Sequence, residues 1–175
     1  FELPRMARSR GADAILCPAN LAPLASRRNV VVIHDVAPLR FPGDFSRAYT
    51  AWQSFLLPRL ADRALRVIVP SEFSRSEVIE FCGADPDLVD VVHPGVPDDI
   101  FAGADSGPVR SKFGLERPYV LTVASKVKRK NIAALAALAG QLAAEGLEIV
   151  AAGGGRPQLS AGSGAAGVRE LGTVD

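Results

Sequence analysis

The sequence predicts an α/β fold with parallel sheets in two domains. Short apolar runs alternate with amphipathic segments at the spacing of βαβ units. The strongest run, Val30 to Ile33, consists of four consecutive β-branched residues, and an all-apolar strand fits burial on both faces of a parallel sheet. The alternation stops near Pro97 and restarts at Tyr119, which predicts a domain boundary between them.

The first domain is predicted to cover residues 1–97. Its strands are predicted at 12–18, 29–35, 66–70 and 88–93. A helix is expected over 46–64, kinked by Pro58, and a second helix from the N-cap residue Ser71 to the terminating residue Gly83. Residues 6–8 read as a helical fragment with no start signal.

Residues 98–117 are rich in glycine, proline and aspartate and are predicted to form a linker. The second domain, 118–175, is predicted to contain strands at 119–124 and 147–152 around a helix at 131–145, followed by a glycine turn and a last strand from Val168. Because the chain begins within a helical fragment and stops on a strand followed by a turn, we expect it to be a piece of a longer protein.

Composition excludes several classes of function. The net charge of +1 and a pI near 8.0 give no global field that would attract nucleic acid or an anionic membrane, so any anion site must be local. Cys17 and Cys82 form no C-x-x-C pair, which predicts reduced, buried thiols in a cytoplasmic setting. Metal-ligand spacing is absent from the sequence, and so is an apolar run of about 18 residues that could span a bilayer.

A cluster of cations marks the turn before the helix of the second domain. The chain has only four lysines, and three of them lie here, in the run Lys126, Lys128, Arg129 and Lys130, which Asn131 follows. A turn that opens a helix already presents unpaired N–H groups and the positive end of the helix dipole, so added cations favour a bound phosphate. Position after a strand favours such a site over the alternative, a solvated basic loop.

His34 and Asp35 follow a predicted buried strand, where a side chain emerges at the carboxyl edge of the sheet. A histidine at such a position is more often structural than functional. Asp35 is predicted either to orient the imidazole or to cap the following turn. The run Gly153-Gly154-Gly155-Arg156 lacks the lysine and hydroxyl of a P-loop and is predicted to let the backbone turn tightly.

The order of these segments resembles that of retaining GT-B glycosyltransferases of the group 1 family, over essentially the whole chain. The segments are His34-Asp35, the turn Pro70-Ser71-Glu72-Phe73-Ser74-Arg75, the turn His93-Pro94-Gly95-Val96, and Arg129-Lys130-Asn131. The resemblance implies two Rossmann-like parallel-sheet domains, each incomplete in this chain, that face a cleft. It implies that the first domain contacts the acceptor and that the second holds the nucleotide-sugar.

The resemblance also implies roles for individual residues. Lys130 matches the family lysine that binds the donor diphosphate, and Arg129 is its neighbour. Many relatives carry a further arginine shortly before, and here Lys126 or Lys128 is expected to substitute. His34 matches the histidine at the sugar end of the cleft, with Asp35 beside it.

The implied activity is sugar transfer from a nucleoside-diphosphate sugar to a glycan or lipid-linked acceptor, with retention of configuration, in polysaccharide or lipopolysaccharide assembly. A hexosyl donor such as mannose is expected, with neither a metal nor a resident cofactor, since fixed cations and helix N–H groups can stabilise the leaving diphosphate. The family's carboxylate pair has no counterpart before Asp175, so this piece alone is expected to be inactive.

Other interpretations remain open at this point. One is a non-catalytic module that binds a sugar nucleotide or phosphate, and another is an unrelated α/β phosphate-binding protein. The helix containing Trp52 and Phe55 also carries Arg47, Arg59 and Arg63. This composition fits peripheral contact with the inner face of a membrane, although ordinary packing of the helix is the favoured alternative.

Overall fold

The computed structural model describes residues 2–100, 103, 105–123, 130–154 and 166–174. The chain divides into two compact units. The first consists of Phe1–Pro42 and Arg47–Val96, and the second consists of Gly43–Ser46 and Pro97–Asp175.

The first unit is built around a four-stranded parallel sheet in the order β1-β2-β3-β4. Its strands are β1 (Ile15–Cys17), β2 (Asn29–Val32), β3 (Arg66–Val69) and β4 (Val89–Val91). Its helices are α1 (Glu2–Ser9), α2 (Ala37–Arg40), α3 (Arg47–Arg63) and α4 (Glu72–Cys82). A single 3₁₀ turn covers Pro86–Leu88, and another, Pro42–Asp44, begins at the last residue before the segment assigned to the second unit.

The core of this unit lies between the sheet and the helices. Val31 of β2, Ile33 directly after β2 and Val69 of β3 are fully buried, and they belong to the same apolar cluster as Leu56 and Leu57 of α3. Full burial of such side chains stabilises the fold by about 1.5–3 kcal/mol each. The β-branched run singled out in the sequence is therefore the centre of the sheet.

Helix α4 begins and ends where its sequence predicts. The Ser71 hydroxyl accepts a hydrogen bond from the N–H of Ser74 at 3.1 Å, as an N-cap residue does. Gly83 ends the helix with φ of 65°, a left-handed conformation in which a side chain would be strained. Pro58 lies inside α3, which continues through it to Arg63.

All four strands of this unit are shorter than predicted, and three of the shortened ends have a local reason. Pro18 ends β1 because proline has no N–H to continue the ladder, so β2 loses its neighbour on that side. Ile33, the residue after β2, still donates to Ile68 O of β3 at 2.8 Å. The 3₁₀ turn Pro86–Leu88 delays the start of β4 until Val89.

The second unit contains a three-stranded parallel sheet in the order β5-β6-β7. Its strands are β5 (Tyr119–Val123), β6 (Glu148–Ala152) and β7 (Val168–Gly172), and its helices are α5 (Gly107–Phe113) and α6 (Ile132–Ala144). The buried strand β6 supplies the core, through Ile149 and Val150. Helix α5 lies within the predicted linker. Arg169 of β7 fixes its end by donating to Gly114 O at 2.9 Å and to Phe113 O.

No helix in the described part of the chain is long and apolar enough to cross a membrane. On α3, Trp52 is 49% exposed and Phe55 46% exposed, with ring centroids 6.2 Å apart. The Arg59 guanidinium lies 3.8 Å from the centroid of the Phe55 ring and donates to Phe55 O at 2.7 Å. This aromatic pair therefore forms a half-exposed patch on α3.

Candidate active site

The carboxyl ends of β1 to β4 lie at one edge of the first sheet, because the four strands are parallel. The segments that leave this edge are 18–20, 34–35, 70–71 and 92–93. Both histidines of the chain, His34 and His93, lie there. For His34, the sequence predicted this placement from its position directly after a buried strand.

The His34 imidazole is oriented by a backbone carbonyl. Its Nε2 lies 3.0 Å from Pro18 O. A carbonyl oxygen can only accept, so Nε2 must carry the hydrogen of this bond. In the neutral ring Nδ1 is then the acceptor, and it can accept a hydrogen bond from a hydroxyl.

Asp35 caps the turn that follows. Its Oδ1 accepts a hydrogen bond from the N–H of Ala37 at 2.9 Å, at the start of α2. This is the second of the two roles that the sequence left open for Asp35, an Asx-type turn. The carboxylate therefore shapes the backbone after His34, while Pro18 orients the ring.

The backbone of His34 and Asp35 is held by a residue that sequence reasoning missed. The Asn20 Oδ1 accepts from the N–H of His34 at 2.8 Å, and its Nδ2 donates to Asp35 O at 2.9 Å. The only signal in the sequence is that an amide side chain follows the proline that ends β1. That signal does not specify which backbone the amide meets.

Helix α4 contacts His34 from another direction. The Ser71 hydroxyl donates to Ser74 Oγ at 3.1 Å, and the Ser74 hydroxyl donates weakly to His34 O at 3.5 Å. The residue that caps α4 is thus linked through one hydroxyl to the predicted functional histidine. His93 is held in a similar way to His34, with Nδ1 at 3.1 Å from Pro70 O.

An ion pair connects α2 to α4. Arg40 contacts the carboxylate of Glu77, whose side chain is only 8% exposed, while the Arg40 side chain is 39% exposed. The guanidinium also lies 5.4 Å from the Phe41 ring centroid and 5.6 Å from that of Phe73. Because α2 follows Asp35 directly, this pair fixes the helix that leaves the site.

In the second unit, the predicted phosphate site lies between β5 and α6. Lys130 is exposed and stands two residues before α6 begins. Asn131 precedes the helix in a left-handed conformation, φ 47°, and its side chain makes no capping hydrogen bond. The N–H groups of the first turn therefore receive no cap from Asn131. The predicted partners Lys126, Lys128 and Arg129 lie outside the described residues.

The next strand of this sheet ends in a tight glycine turn. Gly153 has φ of 140°, and its N–H donates to Gly172 O at 2.7 Å. A Cβ on Gly154 would lie only 2.5 Å from Thr173 Oγ1. The glycines thus allow the backbone after β6 to lie against the segment after β7, as the sequence predicted for a tight turn.

Both cysteines are free and buried, as the sequence predicted. Burial raises the pKa of the Cys17 thiol and raises that of Cys82 to about 11. Neither thiol therefore has the character of a nucleophile at neutral pH.

Comparison with known proteins shows which families this chain is similar to. A model of the family described as Glycosyltransferase Family 4 matches residues 1–100. Among curated proteins, D-inositol 3-phosphate glycosyltransferase of Mycobacterium sp. (strain JLS) is 38% identical over 58 residues, which are 33% of this chain and 13% of the relative. The protein of the same description from Mycobacterium tuberculosis (strain F11) is 42% identical over 57 residues, 33% of this chain and 12% of the relative.

Two solved structures share the fold. Anabaena Alr3699/HepE in complex with UDP-glucose has a TM-score of 0.53 and 18% identity, covering 85% of this chain and 43% of its own. The same protein in complex with UDP and glucose has a TM-score of 0.57 and 13% identity, covering 99% of this chain and 51% of its own. The chain thus spans about half the length of these structures. The predicted fold class, α/β with two parallel sheets of GT-B type, is confirmed.

Proposed function

The chain belongs to Glycosyltransferase Family 4, and from that membership we propose that it forms part of an enzyme that transfers a sugar from a nucleoside-diphosphate sugar to an acceptor. The observation that carries the proposal is the match of the family model to residues 1–100, the segment in which His34 and His93 share one sheet edge. The resemblance to a GT-B glycosyltransferase is confirmed by this match and by the shared fold.

The donor diphosphate is proposed to bind at the start of α6. The exposed residue Lys130 precedes a 13-residue helix whose first N–H groups receive no side-chain cap from Asn131. Cleavage of a sugar–diphosphate bond places developing negative charge on the leaving phosphate, and fixed positive groups lower that barrier. Lys126, Lys128, Arg129 and Asn131 are proposed to join this site. The bound UDP-glucose of HepE supports a donor of this class.

His34 is proposed to hold the sugar or the acceptor by a hydrogen bond. Its Nε2 is engaged by Pro18, so Nδ1 is the atom that would accept from a hydroxyl. We do not assign it as the general base. In the retaining mechanism proposed here, the acceptor hydroxyl attacks the face from which the diphosphate departs, and the departing phosphate takes its proton. Asp35 contributes by capping the turn after His34.

The finer parts of the proposal follow the family resemblance. The first unit is proposed to bind the acceptor, which is a glycan or a lipid-linked molecule. The second unit is proposed to bind the nucleotide-sugar. We propose a hexosyl donor, with mannose the first to test, and a role in polysaccharide or lipopolysaccharide assembly at the inner face of a membrane. Trp52, Phe55 and Arg59 form the patch proposed to touch that surface, since half-exposed aromatic rings beside a cation suit a lipid interface.

The test is sugar transfer by the gene product that contains this chain, assayed with a panel of UDP- and GDP-sugars. We expect one donor to support transfer, with the anomeric configuration of the donor preserved in the product as seen by NMR. Transfer should persist in excess EDTA, because the proposed site uses ammonium and N–H groups in place of a metal. Nucleotide-sugar binding without any transfer would favour the non-catalytic module, and inversion would overturn the retaining mechanism.

A further inference from the structure

The side-chain amide of Asn20 forms a two-bond clamp on consecutive residues of the candidate active site. It accepts from the N–H of His34 at 2.8 Å and donates to the C=O of Asp35 at 2.9 Å. In an extended strand, the N–H of one residue and the C=O of the next point to opposite sides. One amide can meet both groups only where the chain bends, so the clamp specifies a bend at His34.

The clamp begins where the sheet ends. Ile33, the residue directly after β2, donates to Ile68 O of β3 at 2.8 Å and so continues the contact with that strand by one residue. On the other side β1 has already ended at Cys17, and Pro18 has no N–H. Asn20 therefore replaces the missing strand as the partner of His34 at the point where the backbone leaves the sheet.

The same short segment also fixes the imidazole. Pro18 O accepts from Nε2 of His34 at 3.0 Å, and Asn20 lies only two residues further along the chain. The residues 18–20 thus hold both the backbone and the ring, while Ser74 reaches His34 O from α4 at 3.5 Å. If the hydrogen bond from the His34 backbone to Asn20 is lost, the backbone of His34 is no longer held in the position from which its ring contacts Pro18 O.

We propose that Asn20 is a positioning residue for His34, which fixes the ring as the Nε2–H tautomer with Nδ1 available to a substrate hydroxyl. The inference rests on the proposed function for its effect on sugar transfer. Its structural part, the control of backbone and tautomer at His34, does not. A bond that only stabilised the loop would lower stability without changing the state of the imidazole.

Asn20→Ala removes both bonds of the clamp, and Asn20→Asp keeps the acceptor for His34 N–H while it loses the donor to Asp35 O. Ser26→Ala is the matched control, because Ser26 also stabilises the β1–β2 connection, accepting from Arg28 N–H at 3.1 Å, and is not among the residues hydrogen-bonded to His34. All three variants are made in the gene product that contains this chain, and unfolding is followed by circular dichroism. Asn20→Asp keeps the test available if Asn20→Ala does not fold.

Two readouts are combined. The first readout is NMR of the protein with ¹⁵N-labelled histidine, in which the His34 signal is assigned by its disappearance in His34→Asn. The neutral wild-type ring should show the Nε2–H tautomer. Asn20→Ala should give a tautomer mixture and at least tenfold faster hydrogen exchange of the His34 amide, and Asn20→Asp a smaller change. In the transfer assay kcat should fall at least tenfold in Asn20→Ala, with the donor KM changed less than threefold. Ser26→Ala should match the wild type in both readouts.

The outcomes distinguish failure of the proposed function from failure of the positioning role of Asn20. If the wild type transfers no sugar, the proposed function fails, and the tautomer and exchange data still decide the structural part. If the wild type transfers sugar, two results would overturn the positioning role. One is that Asn20→Ala keeps the wild-type tautomer and amide exchange rate of His34. The other is that Asn20→Ala changes them while kcat stays within twofold of the wild type. Equal effects of Ser26→Ala and Asn20→Ala would also overturn it, because they would indicate general loosening of the loop.

Discussion

Replacement of Ser71 by alanine tests whether its hydroxyl stabilises the start of α4, the helix that contacts His34 in the candidate active site. The Ser71 hydroxyl accepts from Ser74 N–H at 3.1 Å and donates to Ser74 Oγ at 3.1 Å, and Ser74 in turn reaches His34 O. Alanine removes the cap and the first link of this hydroxyl chain together. Loss of a serine N-cap costs about 1 kcal/mol of stability.

This cost can be converted into a melting shift. The first unit contains about 90 residues, and for domains of this size 1 kcal/mol lowers Tm by about 4–8 °C. Ser71→Asp should keep most of the stability, because aspartate is an equally good N-cap and favours the positive end of the helix dipole. Ser71→Gly should lose only a few tenths of a kcal/mol.

The assay is urea and thermal unfolding followed by circular dichroism, with Ser76→Ala as the control. Ser76 lies on the same helix and donates to Phe73 O at 2.8 Å, but it caps nothing. Its replacement should change stability by less than about 0.5 kcal/mol. The reasoning is refuted if Ser71→Ala is as stable as the wild type, or if Ser76→Ala and Ser71→Ala lose the same amount.

Three further predictions concern packing and ionisation. Arg40→Ala should destabilise the first unit by about 1–3 kcal/mol in urea unfolding, because it leaves the nearly buried Glu77 carboxylate without its cation. Since the pair is partly hydrated, the loss should be smaller than for a fully buried ion pair. Glu77→Gln should cost less, and equal costs would contradict this account. Gly154→Ala should lower Tm because its Cβ meets Thr173 Oγ1 at 2.5 Å, and a second change, Thr173→Ala, should restore much of the loss; no restoration would mean that the clash is not the cause. The Cys82 pKa of about 11, raised by burial from 9.0, leaves roughly a hundredfold less thiolate at pH 8, so iodoacetamide should react slowly until urea unfolds the protein. Because the folded pKa is the higher one, this thiol's contribution to stability is present below pH 9 and lost as pH rises towards 11, and rapid alkylation of the folded protein at pH 8 would contradict the burial.

Local chemistry made much of the fold predictable. Four β-branched residues specified the central strand, and serine and glycine at the two ends of α4 specified its limits. These signals act over a few residues, through side-chain sterics, a hydroxyl acceptor and a left-handed φ. The sequence therefore contains them in full.

The candidate site was predictable only in outline. Strand order placed His34 at the carboxyl edge, but the group that orients its ring, Pro18 O, is a backbone atom 16 residues away. Asn20 is 14 residues from His34 and accepts from its backbone N–H. Because the backbone is the same at every residue type, the sequence does not reveal this contact. Side chain–backbone bonds between loops leave no periodic pattern, so such partners become visible only in the folded chain.

The central claim is that Lys130, at the start of α6, binds the diphosphate of a nucleotide-sugar. The direct measurement is kcat/KM for sugar transfer by the gene product, with Lys130→Ala compared with Lys112→Ala. Lys112 is the other described lysine, exposed on α5 with its ammonium 5.4 Å from the Phe113 ring centroid. Loss of a charge-assisted phosphate contact costs about 1.5–3 kcal/mol, which corresponds to a decrease of roughly 10- to 150-fold in Lys130→Ala and none in Lys112→Ala. Equal activity of the two variants would contradict the claim.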